Sequence, residues 1–144
     1  MKVRDILHAK GSRVATMRPE TGVDTVIHRL RLDHIGAVVI STDGATIAGI
    51  LSERDIVYGL VEHGAGLLEM TAADVMTREV VTCAPQDGIR DVMRKMTHSR
   101  IRHVPVVENG KLAGIVSIGD MVKHRLEEAE MEATVLREAY IAAH

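Results

Sequence analysis

Apolar positions along this chain follow two periods, and the order in which they alternate occurs twice. Over Asp24 to Asp33 and again over Asp87 to His98 they recur at helical spacing, with Val26, Ile27 and Leu30 matched by Val92, Met93 and Met96. Each helical stretch is followed by two short apolar runs around a turn. The first pair is Ala37 to Ile40 and Ile47 to Leu51 around Asp43-Gly44. The second is His103 to Val107 and Leu112 to Val116 around Asn109-Gly110, one residue shorter in the turn. Ahead of each helix stands a strand signal, Val14-Ala15-Thr16 or Val80-Val81-Thr82, followed by Pro19 or Pro85, which marks a turn into the helix. Short helical turns, Val3 to Leu7 and Ala73 to Met76, introduce the halves. Each half reads strand, helix, strand, strand, helix, at an offset that falls from about 66 to about 65 residues.

The pattern predicts an α/β (α+β) fold of two repeats related by a pseudo-twofold axis. Their bounds are 1–66 and 67–126, with Gly64-Ala65-Gly66 as the hinge. One repeat alone would leave a face of its small sheet bare, so the two are expected to pack together. Beyond them, 127–144 continues a helix from Lys123 to His144 without glycine or proline. Val122, Leu126, Ala129, Ala133, Leu136 and Tyr140 fall at alternating spacings of four and three, a coiled-coil-like stripe. It fits either self-association as a homodimer or a helix lying on its own domain.

Composition narrows the function classes. The chain has 144 residues, 46% apolar, with no Phe or Trp and only Tyr58 and Tyr140 as aromatic residues, so the core is aliphatic. A net charge of -2 gives no broad basic field, and the bases of single strands would find few rings to stack on; nucleic acid is not expected as a partner. Cys83 is the single cysteine, which fits a reducing compartment. Eight scattered histidines without a His-x-x-x-His pair give no metal site. No apolar run reaches the ~20 residues that span a bilayer, and the start lacks a signal-peptide core. A cytoplasmic location away from the membrane is expected.

The candidate chemistry lies where strand gives way to helix. Gly49-Ile50-Leu51-Ser52-Glu53-Arg54-Asp55 and Gly114-Ile115-Val116-Ser117-Ile118-Gly119-Asp120 share one plan, glycine, two apolar residues, serine, and aspartate three residues later. Serine and aspartate at that spacing form a capping box. The same groups, with the free N–H groups and dipole of the new helix, also suit an anionic ligand, and capping and binding can coexist. A basic segment, His98-Ser99-Arg100-Ile101-Arg102-His103-Val104-Pro105, leads into one strand, and arginine's planar fork suits phosphate. Arg54 has Gly119 as its twin, so the two junctions differ chemically. Neither the Gly-x-Ser-x-Gly elbow of hydrolases, nor a P-loop, nor Gly-x-Gly-x-x-Gly is present, and no catalytic residue is assigned.

The paired serine–aspartate motifs and the run Ile101 to Val107 leading into Asn109-Gly110 resemble the CBS domain, named after cystathionine beta-synthase, in its tandem form, the Bateman module. The resemblance covers roughly residues 1–126. It implies a sensor, not an enzyme, that binds an adenosine-containing ligand (AMP, ATP, S-adenosylmethionine or NAD(H)) between its repeats, without a catalytic cofactor, and signals to a regulated protein. It further implies that Asp55 and Asp120 accept from ribose hydroxyls, that Ser52 and Ser117 contact phosphate or ribose, and that Thr16 and Thr82 flank the base. The backbone of Gly36-Ala37-Val38 and His103-Val104-Pro105 would hold the adenine edge, with Arg54, Arg100, Arg102 and His103 at phosphate. The first repeat departs from the pattern, with Ala37-Val38-Val39 where the second has His103-Val104-Pro105, so unequal sites are expected. A ligand-independent structural adaptor is the alternative.

Overall fold

The computed structural model describes residues 1–144. The first repeat contains α1 (Val3–Lys10), β1 (Thr16–Met17), α2 (Val23–Asp33), β2 (Ala37–Ile40), β3 (Gly49–Ser52) and α3 (Glu53–His63). The second contains α4 (Ala72–Val75), α5 (Ile89–Ser99), β4 (His103–Glu108), β5 (Lys111–Ser117) and α6 (Ile118–Ala143). In the first sheet β1 lies parallel to β2, which pairs antiparallel with β3; in the second β4 pairs antiparallel with β5. Asn109 and Gly110 both take positive φ, 53° and 75°, as a tight primed hairpin turn demands.

One expected strand is missing, and proline explains it. The Val80-Val81-Thr82 run is not a strand; only Cys83 bridges to Val106. In the first repeat Val39 N donates to Ala15 O at 3.0 Å, but the position matching Val39 is Pro105, which has no N–H to give. The ladder therefore shrinks to Cys83 N donating to Pro105 O and Val107 N donating to Cys83 O. A second difference lies at the hinge, where Gly64–Glu69 forms a 3₁₀ helix fastened by the fully buried Leu67 against Gly59 of α3. The connection is packed, not open.

The two repeats exchange their leading helices. One core gathers Ile89, Val92 and Met96 of α5 with Val104, Val106 and Val116 of the second sheet, and it is completed by Val3, Ile6 and Leu7 of α1. The other gathers Val26, Leu30, Val38, Ile40 and Leu51 of the first repeat with Ala72 and Met76 from the segment that leads the second. Backbone hydrogen bonds repeat the exchange almost bond for bond. Val3 N donates to Asp87 O and Arg4 N to Pro85 O, while Ala72 N donates to Thr21 O and Ala73 N to Pro19 O. Neither half buries its sheet without the other's leader.

This exchange gives the motif glycines their physical reason. A Cβ on Gly114 would lie 2.7 Å from Leu7 Cδ2, and one on Gly49 would lie 2.5 Å from Met76 Sδ and 2.9 Å from the Thr77 carbonyl oxygen. Each glycine is the floor on which the exchanged leader sits. Gly49→Ala is expected to destabilise by about 1–3 kcal/mol. Gly114→Ala should cost less, because a leucine side chain can move and a carbonyl cannot. In a Leu7→Ala background, which by itself costs roughly 2–5 kcal/mol, Gly114→Ala should become nearly neutral. Urea unfolding of the single and double variants measures that coupling, and strict additivity would contradict the exchanged packing.

Candidate functional site

A cleft of about 850 Å³ opens where both strand-to-helix junctions meet. Its walls come from four places: Ser52, Arg54, Asp55 and Tyr58 at the start of α3; Thr77, Glu79, Val80 and Val81 after α4; Ile101, Arg102 and His103 entering β4; and Ser117 to Gly119 entering α6. Gly36 closes one side, where His103 and Glu53 leave no room for a side chain. The lining is mixed in charge, with Glu53, Asp55 and Glu79 against Arg54, Arg102 and His103. No group of three or more histidine, cysteine, aspartate or glutamate side chains is placed to hold a metal ion.

The serine–aspartate pairs form capping boxes on their helices. Asp55 Oδ2 accepts from Ser52 N at 2.8 Å and from Ser52 Oγ at 3.1 Å, and its Oδ1 accepts from Thr77 Oγ1 at 2.8 Å. Asp120 Oδ2 accepts from Ser117 N at 2.8 Å, while Asp120 N donates to Ser117 Oγ at 3.2 Å. Lys10 Nζ of α1 also donates to Asp120 Oδ2 at 2.8 Å. The helix N-termini are less free than the sequence suggests, since Glu53 N donates to Gly36 O and Ile118 N to Arg102 O. Each junction is thereby fastened to the strand entry facing it.

Of the residues singled out from sequence, Gly36, Ser52, Arg54, Asp55, Arg102, His103 and Ser117 line the cleft together. The others lie elsewhere. Thr82 lines a separate depression of about 330 Å³ with Thr46, Arg78 and Gly110. Thr16 sits in β1 in register with Val39. Ala37, Val38, Val104 and Pro105 are buried strand residues behind the cleft wall. Arg100, with φ of 54°, ends α5 as its left-handed cap, the role His34 plays on α2. Asp120 is outside the lining and held by Lys10.

Sequence reasoning missed Thr77, Glu79 and Tyr58. Tyr58 was findable, because it stands three and four residues after Asp55 and Arg54 and so shares their helix face. Thr77 was not, since only the exchange of leaders carries it to Asp55. Cys83 is a core residue whose thiol burial pushes up to about 11, far from the range of a nucleophile.

His103 lies at the centre of the cleft's electrostatics. Burial lowers its pKa below the ordinary histidine value; Glu53 and Asp120 pull it upward, and Lys10 and Arg102 push it further down. The unfolded chain therefore takes up a proton at higher pH than the folded one. The stability that neutral His103 contributes is complete above about pH 6.5 and is lost as pH falls through the lower folded value. The urea midpoint is expected to fall between about pH 7.5 and about pH 5.5, and to fall less in His103→Gln. Equal slopes in the two proteins would remove His103 from that role.

The comparisons with known proteins agree with this architecture. The family model described as CBS domain matches twice, over residues 3–62 and 72–127. The chain is 32% identical over 147 aligned positions to the CBS domain-containing protein CBSX3, mitochondrial, of Arabidopsis thaliana, covering 96% of this chain and 71% of that protein. The crystal structure of the CBS-domain containing protein ATU1752 from Agrobacterium tumefaciens superposes with a TM-score of 0.84 at 41% identity, covering 87% of this chain and 99% of that one. The CBS domain pair of protein MJ0100, solved with 5′-methylthioadenosine and S-adenosyl-L-methionine, shares the fold at a TM-score of 0.78 and 24% identity, covering 89% of this chain and 98% of its own. With two matched repeats, exchanged leaders and paired serine–aspartate junctions, the chain belongs to the CBS domain family as a tandem pair.

Proposed function

We propose that this chain is a regulatory module that binds an adenosine-containing ligand in the Asp55 cleft and passes the resulting change to a partner protein. The observation that carries the reading is the convergence of Asp55, Ser52, Thr77, Arg54, Arg102 and His103 on one cleft. Asp55 accepts from the ribose hydroxyls, with Thr77 beside it, and Ser52 meets the ribose or the first phosphate. Arg54 and Arg102 bind phosphate through charge-assisted hydrogen bonds, while Ile50, Val80, Val81 and Ile101 supply an apolar wall for the base. Adenosine ligands bound to the domain pair of MJ0100, a protein of the same fold, motivate this choice.

The charge balance favours a small anion. Two arginines face three carboxylates, and His103 is held toward its neutral form by burial, so a triphosphate would meet more repulsion than a monophosphate. AMP is therefore favoured over ATP, and a ligand without phosphate, such as S-adenosylmethionine, is compatible with the lining. The response is linkage. A ligand touching both repeats favours the arrangement in which both contacts are made, by no more than its difference in affinity for the two states.

The module is further proposed to act as a cytoplasmic homodimer. Val57 and Val61 of α3 are exposed, and so are Val122 and Leu126 at the matching positions of α6. The apolar face continues through Leu136 and Tyr140. Two repeat-related helix faces left bare in the same way suit a second copy, which can cover both about one twofold axis. No helix is long and apolar enough to cross a membrane.

Isothermal titration with AMP, ATP, NAD, NADH and S-adenosylmethionine tests the ligand. Saturable binding of at least one is expected, AMP tighter than ATP, with Asp55→Ala weakening it about 10–100-fold. A folded Asp55→Ala protein that binds unchanged would reject the assignment, and silence across the panel favours the adaptor. Light scattering tests the assembly: the wild type should run as two chains and the pair Val61→Glu and Leu126→Glu as one chain of 15.7 kDa. A wild-type monomer would count against the dimer.

A further inference from the structure

The two junctions occupy equal places in the fold but are not equally available. Asp55 and Asp120 stand at the same position of their helices, and each accepts its serine's backbone N–H at 2.8 Å. They differ in what the exchanged leader delivers. The segment after α4 brings Thr77, whose hydroxyl reaches Asp55 at 2.8 Å; the end of α1 brings Lys10, whose ammonium reaches Asp120 at 2.8 Å.

A hydroxyl is neutral, donates one hydrogen bond and accepts others, so it can remain beside an arriving ribose and join its hydrogen bonds. An ammonium only donates, and a charge-assisted bond to carboxylate is about twice as strong as a neutral one. The pair is partly sheltered, at 34% and 22% side-chain exposure, so water screens it only in part. Gly119 stands where the first junction has Arg54, so the helix that Asp120 opens carries no arginine of its own in its first turn. A nucleotide at Asp120 would have to break an ion pair.

We infer that Lys10 closes the Asp120 position by occupying its carboxylate, so that each chain takes one adenosine-containing ligand, in the Asp55 cleft. The inference rests on the ligand reading above and adds its stoichiometry. Lys10 is the residue that sets it. Closure is electrostatic: burial raises the Asp120 pKa, but the bonds from Lys10 and Ser117 outweigh it and hold the carboxyl below its usual range, ionised and paired near neutral pH.

Titration with AMP and with adenosine, read by heat and by the side-chain carboxylate carbon resonances of Asp55 and Asp120, tests it. In the wild type one ligand should bind per chain, moving the Asp55 resonance. In Lys10→Thr, which removes the ammonium, a second should bind and move Asp120, with affinity there raised about tenfold or more. Adenosine is the more sensitive probe, since it carries no phosphate and reports the freed carboxylate alone. Lys10→Met, which keeps the stem and loses the charge, should give a gain of the same sign, so the test does not hang on the folding of one variant. Two equal sites in the wild type would overturn the inference, as would an Asp120 resonance that stays still in both variants while Asp55 responds. No response at Asp55 in any of the proteins would instead reject the ligand reading itself and, with it, the inference.

Discussion

Burial of two exchanged leaders, Leu7 on Gly114 and Met76 on Gly49, is the interaction on which everything else in this protein depends. Each repeat's sheet has too few strands to cover its own apolar face. The helix that covers it comes from the other repeat, so the hydrophobic gain is shared and the halves form one unit. The matched backbone hydrogen bonds from the leaders to the carbonyls at Pro85 and Asp87, and at Pro19 and Thr21, fix the register of that exchange. A glycine opening each motif follows from this, since any side chain there would stand where the leader must lie.

The same exchange assembles the site. A leader that crosses over ends beside the opposite junction, which places Thr77 at Asp55 and Lys10 at Asp120. The capping role of each aspartate does not compete with ligand binding, because a carboxylate has about four acceptor positions and the cap uses only some of them. A rigid helix N-terminus is then an advantage, since it holds the carboxylate still before any ligand arrives.

Small departures from symmetry decide what the two halves can do. Pro105 removes one donor, and the strand preceding α5 shrinks to a single bridge, leaving Val80 and Val81 to line the cleft instead of extending a sheet. His103 in place of Ala37 brings a titratable ring into a partly buried place, where Glu53, Asp120, Lys10 and Arg102 act on it from different elements. A duplicated plan with unequal side chains leaves Asp55 beside a neutral hydroxyl and Asp120 paired with an ammonium.

Sequence alone determined the duplication and all the elements but the strand expected at Val80-Val81-Thr82. Helical spacing placed α2 and α5 to within about two residues at either end, the Asp43-Gly44 and Asn109-Gly110 turns located both hairpins, and an unbroken helix former run gave α6. These are local preferences, and local order suffices to read them. The serine–aspartate motifs were legible for the same reason, and seven of the residues chosen with them line one cleft. What only the tertiary structure decided is which segment meets which junction. Thr77 came to Asp55, Thr82, expected to flank the base, went to a separate depression, Arg100 became a helix cap, and Lys10 came to Asp120 from 110 residues away. The physical reason is that apolar leaders pack wherever a sheet face is open, and periodicity carries no information about whether that face belongs to their own repeat or to the other.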